Sequence, residues 1–216
     1  MTEILEALHW GPASKGTPRF LVVLCHGLGA DAHDLIDLAP EWADACPDAL
    51  FASVQAPETH YSGFGRQWWP VADRRPEVME GGARNARQHL DAFLDAELAR
   101  LALPADAYAL MGFSQGAMIA LFTGLRRAVA PRAILAYSGA LIAPDTLAAE
   151  IANKAPVLLV HGEADPSVPA SRSRDAEAAL RALGVPVEAT YVPRLGHGID
   201  DSGITMGRLA LQRAFG

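Results

Sequence analysis

The five residues Gly112-Phe113-Ser114-Gln115-Gly116 are the stretch best equipped for chemistry. An apolar run, residues 108–111, leads into them, and a second apolar segment, residues 117–125, is long enough for a helix. A strand turning sharply into a helix needs corner residues without bulk, which Gly112 and Gly116 provide. Ser114 then sits at a strained apex with its hydroxyl exposed, the nucleophile elbow of G-x-S-x-G serine hydrolases.

A serine hydroxyl is a weak nucleophile until a base takes its proton, and that base needs a third group to hold its tautomer. His197, in Leu195-Gly196-His197-Gly198, lies between the last expected strand and the last expected helix and is the candidate base. His26 and His161 also follow strands, each as His-Gly. His161 is the competing base, although a structural role in its turn suits it better; His26 is read as shaping its own turn. His9, His33, His60 and His89 fall on expected surface elements and are read as solvated.

Asp165 is the candidate acid, in Gly162-Glu163-Ala164-Asp165-Pro166-Ser167-Val168-Pro169, where the prolines stiffen the loop. An N-terminal cap for the following helix is its other reading, and Glu163 is the neighbour that could be confused with it. The order Ser114, Asp165, His197 is that of α/β-hydrolases and differs from the chymotrypsin-like and subtilisin-like orders. A tetrahedral intermediate also needs donors for its oxyanion. The backbone N–H groups of Gln115, in the elbow, and of Leu28, in His26-Gly27-Leu28-Gly29, are the candidates. Those glycines would also suit a phosphate cradle, but neither G-x-x-x-x-G-K-[ST] nor G-x-G-x-x-G is present.

These groups need a scaffold, and the hydrophobic pattern supplies one. Strands are expected over 4–10 (at an edge), 20–25, 50–54, 108–111, 133–137, 157–160 and 187–192. Helices are expected over 32–46, through Ala86, Leu90, Phe93, Leu94, Leu98 and Leu101, over 117–125, over 170–183 with Gly184 as its stop, and over 204–215. Residues 55–82 have no such period and read as one long functional connection. Alternating strands and helices, with several strands apolar throughout, imply a mostly parallel sheet covered on both faces. Reacting groups then gather beyond the carboxyl ends of the strands.

The chain has 216 residues, half of them hydrophobic and a fifth charged, which fits one domain, residues 1–216, with a full core. A net charge of −7 argues against nucleic acid or an anionic membrane as partner. Cys25 and Cys46 make no disulfide framework and read as reduced, packed thiols. The first residues, Met1-Thr2-Glu3-Ile4-Leu5-Glu6, lack a secretion-signal pattern, and no apolar run is long enough to span a bilayer, so a cytoplasmic protein without stable membrane insertion is expected.

Together, His26-Gly27-Leu28-Gly29, Gly112-Phe113-Ser114-Gln115-Gly116, Asp165-Pro166-Ser167-Val168-Pro169 and Gly196-His197 resemble the phospholipase/carboxylesterase family of α/β-hydrolases, from about Phe20 to the C-terminus. The resemblance implies an α/β-hydrolase fold with no separate lid domain. It implies hydrolysis of small-molecule carboxylic esters or thioesters with no metal or cofactor, and a homodimer. Ala30-Asp31-Ala32-His33-Asp34 and the aromatic segment Phe64-Gly65-Arg66-Gln67-Trp68-Trp69-Pro70 are nearer to the small bacterial esterases than to acyl-protein thioesterases. In the family this segment lies beside the active site, so Phe64, Trp68 and Trp69 are expected either to wall the acyl pocket or to pin the loop to the core. Arg66 would meet an anionic substrate or be solvated. A carboxylesterase for small or medium acyl chains is the leading expectation. A long-chain thioesterase or lysophospholipase and a catalytically silent binding protein are the alternatives.

Overall fold

The computed structural model describes residues 4–216; residues 1–3, part of the N-terminal stretch read above, lie outside it. The elements run β1 (Ala7–Trp10), β2 (Phe20–Cys25), α1 (His33–Ile36), α2 (Leu38–Trp42), β3 (Ala49–Val54), β4 (Glu58–Thr59), β5 (Arg66–Gln67) and α3 (Pro76–Arg100). They continue with β6 (Tyr108–Phe113), α4 (Gln115–Gly124), β7 (Ile134–Tyr137), α5 (Pro144–Glu150), β8 (Val157–Gly162), α6 (Ser171–Ala182), β9 (Val187–Val192) and α7 (Asp201–Phe215). Seven strands form one sheet in the order β1-β3-β2-β6-β7-β8-β9. All neighbours are parallel except the edge pair β1 and β3.

The unbroken apolar strands are explained by burial on both faces. In β2, Leu21, Val23 and Cys25 enter a core shared with α3, α4 and α6, while Val22 and Leu24 enter a second core with α2 and α7. Alternate residues of a strand point to opposite faces, so neither set could be polar without facing apolar neighbours. On the second face, Trp42 Nε1 donates to the Ile204 carbonyl at 2.9 Å and ties α2 to α7.

The strand order turns back between β2 and β6, with β3 on one side of β2 and β6 on the other. A crevice opens at such a reversal beyond the carboxyl ends of the strands. The loop carrying Leu28 leaves β2 there, and Ser114 follows β6.

Three expectations need correction. The helix expected over 32–46 is broken into α1, α2 and a 3-10 turn, Ala43–Ala45. Pro40 lacks the N–H that would bond back to Ile36, where α1 ends. The connection expected over 55–82 is shorter, holding the β4–β5 hairpin and giving way to α3 at Pro76. Gly81 and Gly82 read as loop but lie within α3, and a methyl group at Gly82 would come within 2.6 Å of Trp69 Cβ. Helix α5, seven residues opened by Pro144, is too short to show a helical period.

Candidate active site

The elbow has the geometry its sequence implies. Ser114 has φ 56° and ψ −117°, a strained conformation for a residue with a side chain. Its N–H donates to the Tyr137 carbonyl at 2.9 Å, and its own carbonyl accepts from Ala117 at 3.0 Å, so β7 and α4 hold the apex from both sides. The turn is tight enough that a methyl group at Gly112 would lie 2.1 Å from the Gly116 carbonyl oxygen.

The turn after β2 passes beside the serine, where a methyl group at Gly27 would sit 3.4 Å from Ser114 Cβ. Two bonds fasten it to β5: Gly29 donates to Arg66 at 2.8 Å and Arg66 donates to Ala30 at 2.7 Å. Among the described residues, the amides of Leu28 and Gln115 donate to no backbone carbonyl.

His26 occupies the turn without a free proton site. Its Nδ1 is 2.7 Å from the Gly27 carbonyl and therefore carries the proton; its Nε2 accepts from the Ala56 amide at 3.1 Å. Burial pulls its pKa below the ordinary histidine value. His26 is thus a neutral imidazole bracing the turn.

His197 and Asp165 come together from loops on adjacent strands. Glu163 donates to Val192 and Ala164 to Leu195, both at 2.9 Å, which stitches the loop after β8 to the loop after β9. Across that seam, His197 Nδ1 lies 2.6 Å from Asp165 Oδ2. Asp165 Oδ1 accepts from the amides of Ser167 at 2.8 Å and Val168 at 2.9 Å. Burial works to raise the Asp165 pKa, but the His197 bond and these two amides outweigh it and hold the carboxyl below its ordinary value. The His197 ring packs on Phe113, the residue before Ser114, with centroids 4.8 Å apart. The imidazole therefore rests on the elbow with Nδ1 engaged by the carboxylate.

The aromatic segment is arranged differently. Trp68 and Trp69 are 0% and 1% exposed, so neither offers surface to a substrate. The expectation that they wall an acyl pocket gives way to loop anchoring. Trp68 Nε1 donates to the His26 carbonyl at 3.0 Å, and its backbone N–H donates to Gln115 Oε1 at 2.9 Å. Gln115 Nε2 in turn donates to the Trp69 carbonyl at 2.8 Å. The Gln115 side chain therefore clamps this loop to the elbow, a role that G-x-S-x-G, which leaves its fourth position free, does not signal.

Arg66 is half-buried and tied to the hairpin. Its guanidinium donates to the carbonyls of Ala56 at 2.8 Å and Pro57 at 2.9 Å and to Thr59 Oγ1 at 3.2 Å. Phe64 projects from the hairpin tip, 83% exposed.

The model for the phospholipase/carboxylesterase family matches residues 12–208. The chain belongs to that family. Its chemistry is therefore that of a carboxylic ester hydrolase. An Escherichia coli protein named esterase YpfH is 28% identical, with 84% of this chain and 77% of that one covered. Acyl-protein thioesterase 1 of Schizosaccharomyces pombe is 32% identical over 78% of each chain. Among solved structures, esterase PE8 superposes with a TM-score of 0.93 at 39% identity, covering 98% of this chain and all of that one. The α/β-hydrolase architecture of these esterases is the one described above. No helix among the described residues is long and apolar enough to cross a membrane.

Proposed function

We propose that this family member is a serine carboxylesterase acting on esters of small or medium acyl chains through an acyl-enzyme. Ser114 Oγ attacks the ester carbonyl while its proton passes to His197 Nε2. The N–H groups of Leu28 and Gln115 receive the developing oxyanion. Collapse breaks the bond to the alcohol oxygen, which leaves with the proton from His197. Water then attacks the acyl-enzyme, giving its proton to His197, and the carboxylic acid departs as the proton returns to Ser114. Asp165 holds the His197 proton on Nδ1, leaving Nε2 as the base.

The observation that carries this reading is the 2.6 Å contact between His197 Nδ1 and Asp165 Oδ2, with the imidazole packed on the elbow residue Phe113. The preference for shorter acyl chains rests on residues 30–34 and 64–70, which resemble the small bacterial esterases more than the acyl-protein thioesterases. Hydrolysis of p-nitrophenyl acetate and butyrate, with no metal added, tests the proposal. Ser114→Ala should abolish turnover while leaving the circular dichroism unchanged; an active Ser114→Ala would end it.

The identity to an acyl-protein thioesterase favours a second reading, a hydrolase for long acyl chains. Rates on acetyl, octanoyl and palmitoyl esters separate the two, since a palmitoyl optimum would select the second. A rice relative, 30% identical, is named a probable inactive carboxylesterase. Covalent labelling of Ser114 by a fluorophosphonate separates a working site from a silent one.

A further inference from the structure

The loop that carries Asp165 presents that carboxylate with a second imidazole. His161 lies in β8 four residues before Asp165, and both side chains are fully buried. His161 Nε2 is 3.2 Å from Asp165 Oδ2, the same oxygen that His197 Nδ1 approaches to 2.6 Å.

Its neighbours fix the tautomer of His161. Nε2 is 2.8 Å from the Val168 carbonyl, which can only accept, so the proton is on Nε2. Nδ1 is then an acceptor, and the Ser173 hydroxyl, 2.6 Å away on α6, supplies its proton. The alternative acceptor for that hydroxyl, the Gly139 carbonyl, is farther away at 3.3 Å. The Val168 residue that accepts from His161 also donates to Asp165 Oδ1, which closes a ring of contacts around the carboxylate. Two amides thus serve Oδ1 and the His197 N–H serves Oδ2, while the His161 Nε2–H, directed to Val168, stands beside the same oxygen as a second positive dipole.

We infer that His161 is a positioning residue for ester hydrolysis: its Nε2–H, bonded to Val168, fixes the residue whose amide holds Asp165 Oδ1, and its dipole beside Oδ2 shares the carboxylate charge. This rests on the Ser114-His197-Asp165 reading. A histidine serving only Val168 and Ser173 would plug the loop. The contact with Oδ2 instead places His161 on the oxygen that sets the basicity of His197. Removing its N–H concentrates negative charge on the side facing His197, favours the imidazolium, and silences the base over a wider range of low pH. Other charged groups nearby are committed elsewhere: Glu163 pairs with Arg174 on α6, and Asp200 caps α7 through Gly203 and Ser202.

The test is the pH dependence of kcat/KM for p-nitrophenyl butyrate in the wild type, His161→Gln and His161→Leu. Glutamine keeps an N–H donor near the Nε2 position and should leave the acid limb in place, with activity within about threefold of wild type. Leucine should lower kcat/KM about three- to tenfold, through the lost anchor on Val168 and the lost dipole beside Oδ2. It should also move the acid limb upward by roughly half a pH unit, a threefold change in proton affinity. An unmoved limb in His161→Leu overturns the inference, whatever its activity. If that variant fails to fold, His161→Met carries the test. It lacks an N–H in a side chain of similar length and should move the limb in the same direction, and an unmoved limb there is equally decisive. Ser114→Ala separates the two levels, because its activity would overturn the triad itself, whereas an unmoved limb in an enzyme dependent on Ser114 overturns only the role of His161.

Discussion

Gly116→Ala tests whether backbone contact between the elbow and the turn after β2 sets the catalytic geometry. The added methyl group would lie 1.8 Å from the Cys25 carbonyl oxygen, 2.5 Å from the Cys25 carbonyl carbon and 2.6 Å from the His26 carbonyl oxygen. All three are backbone atoms, so no rotamer relieves the overlap. The 1.8 Å contact must open to at least 3.0 Å, a relative shift of 1.2 Å between α4 and the end of β2. Those segments carry the Gln115 and Leu28 amides. A displacement of about 1 Å at a catalytic centre costs on the order of a hundredfold in rate. Overpacking costs about 1–3 kcal/mol in stability, which for a domain of this size lowers Tm by roughly 2–12 °C. Hydrolysis of p-nitrophenyl butyrate and thermal unfolding measure the two effects. Gly81→Ala is the matched control, since a methyl group there meets nothing within 4 Å. Removing a helical glycine should stabilise α3 by about 0.5–1 kcal/mol with activity unchanged. Wild-type kcat/KM, within threefold, in a folded Gly116→Ala would refute the reasoning.

Asp165→Asn should lower kcat by about 10³–10⁴, because an amide can stabilise the wrong imidazole tautomer; intact circular dichroism with near-normal turnover would contradict it. The Asp165 carboxyl is held below its ordinary value, so its contribution to stability is complete above about pH 4 and is lost as pH falls through the lower folded value. Urea midpoints measured from pH 6 downward should therefore drop more steeply in the wild type than in Asp165→Asn. Gln115→Ala leaves the buried Trp68 amide and Trp69 carbonyl without their side-chain partner, for a loss of about 2–5 kcal/mol by denaturant titration. Trp68 and Trp69 should respond differently to phenylalanine. Trp68→Phe gives up a bond to the His26 carbonyl, whereas the Trp69 indole N–H has no partner to lose. Trp68→Phe should show the larger fall in both Tm and kcat/KM, and equal effects would contradict this assignment.

The sheet was legible because each inner strand is buried on both faces and so reads as an unbroken apolar run, as residues 20–25 and 157–160 do. The candidate site was legible for a related reason: Ser114, Asp165 and His197 each follow a strand, and a parallel sheet brings such positions to one edge. What stayed hidden depends on direction and contact. Nothing in the composition of residues 64–70 says that Trp68 and Trp69 turn inward while Phe64 turns out. The glycines at 81 and 82 suggest a break, yet Gly82 allows Trp69 to lie against α3. His161 was set apart as a structural residue because its contact with Asp165 depends on a tight loop, which leaves no periodic trace.

The Leu28 and Gln115 amides follow β2 and β6, which are hydrogen-bonded neighbours in the sheet. The gauge between them is therefore inherited from the ~4.8 Å lattice of parallel strands, a spacing set by backbone pairing and disturbed only where an added atom wedges the strand ends apart, as at Gly116. Exposed side chains can vary around the site while that pitch persists beneath them.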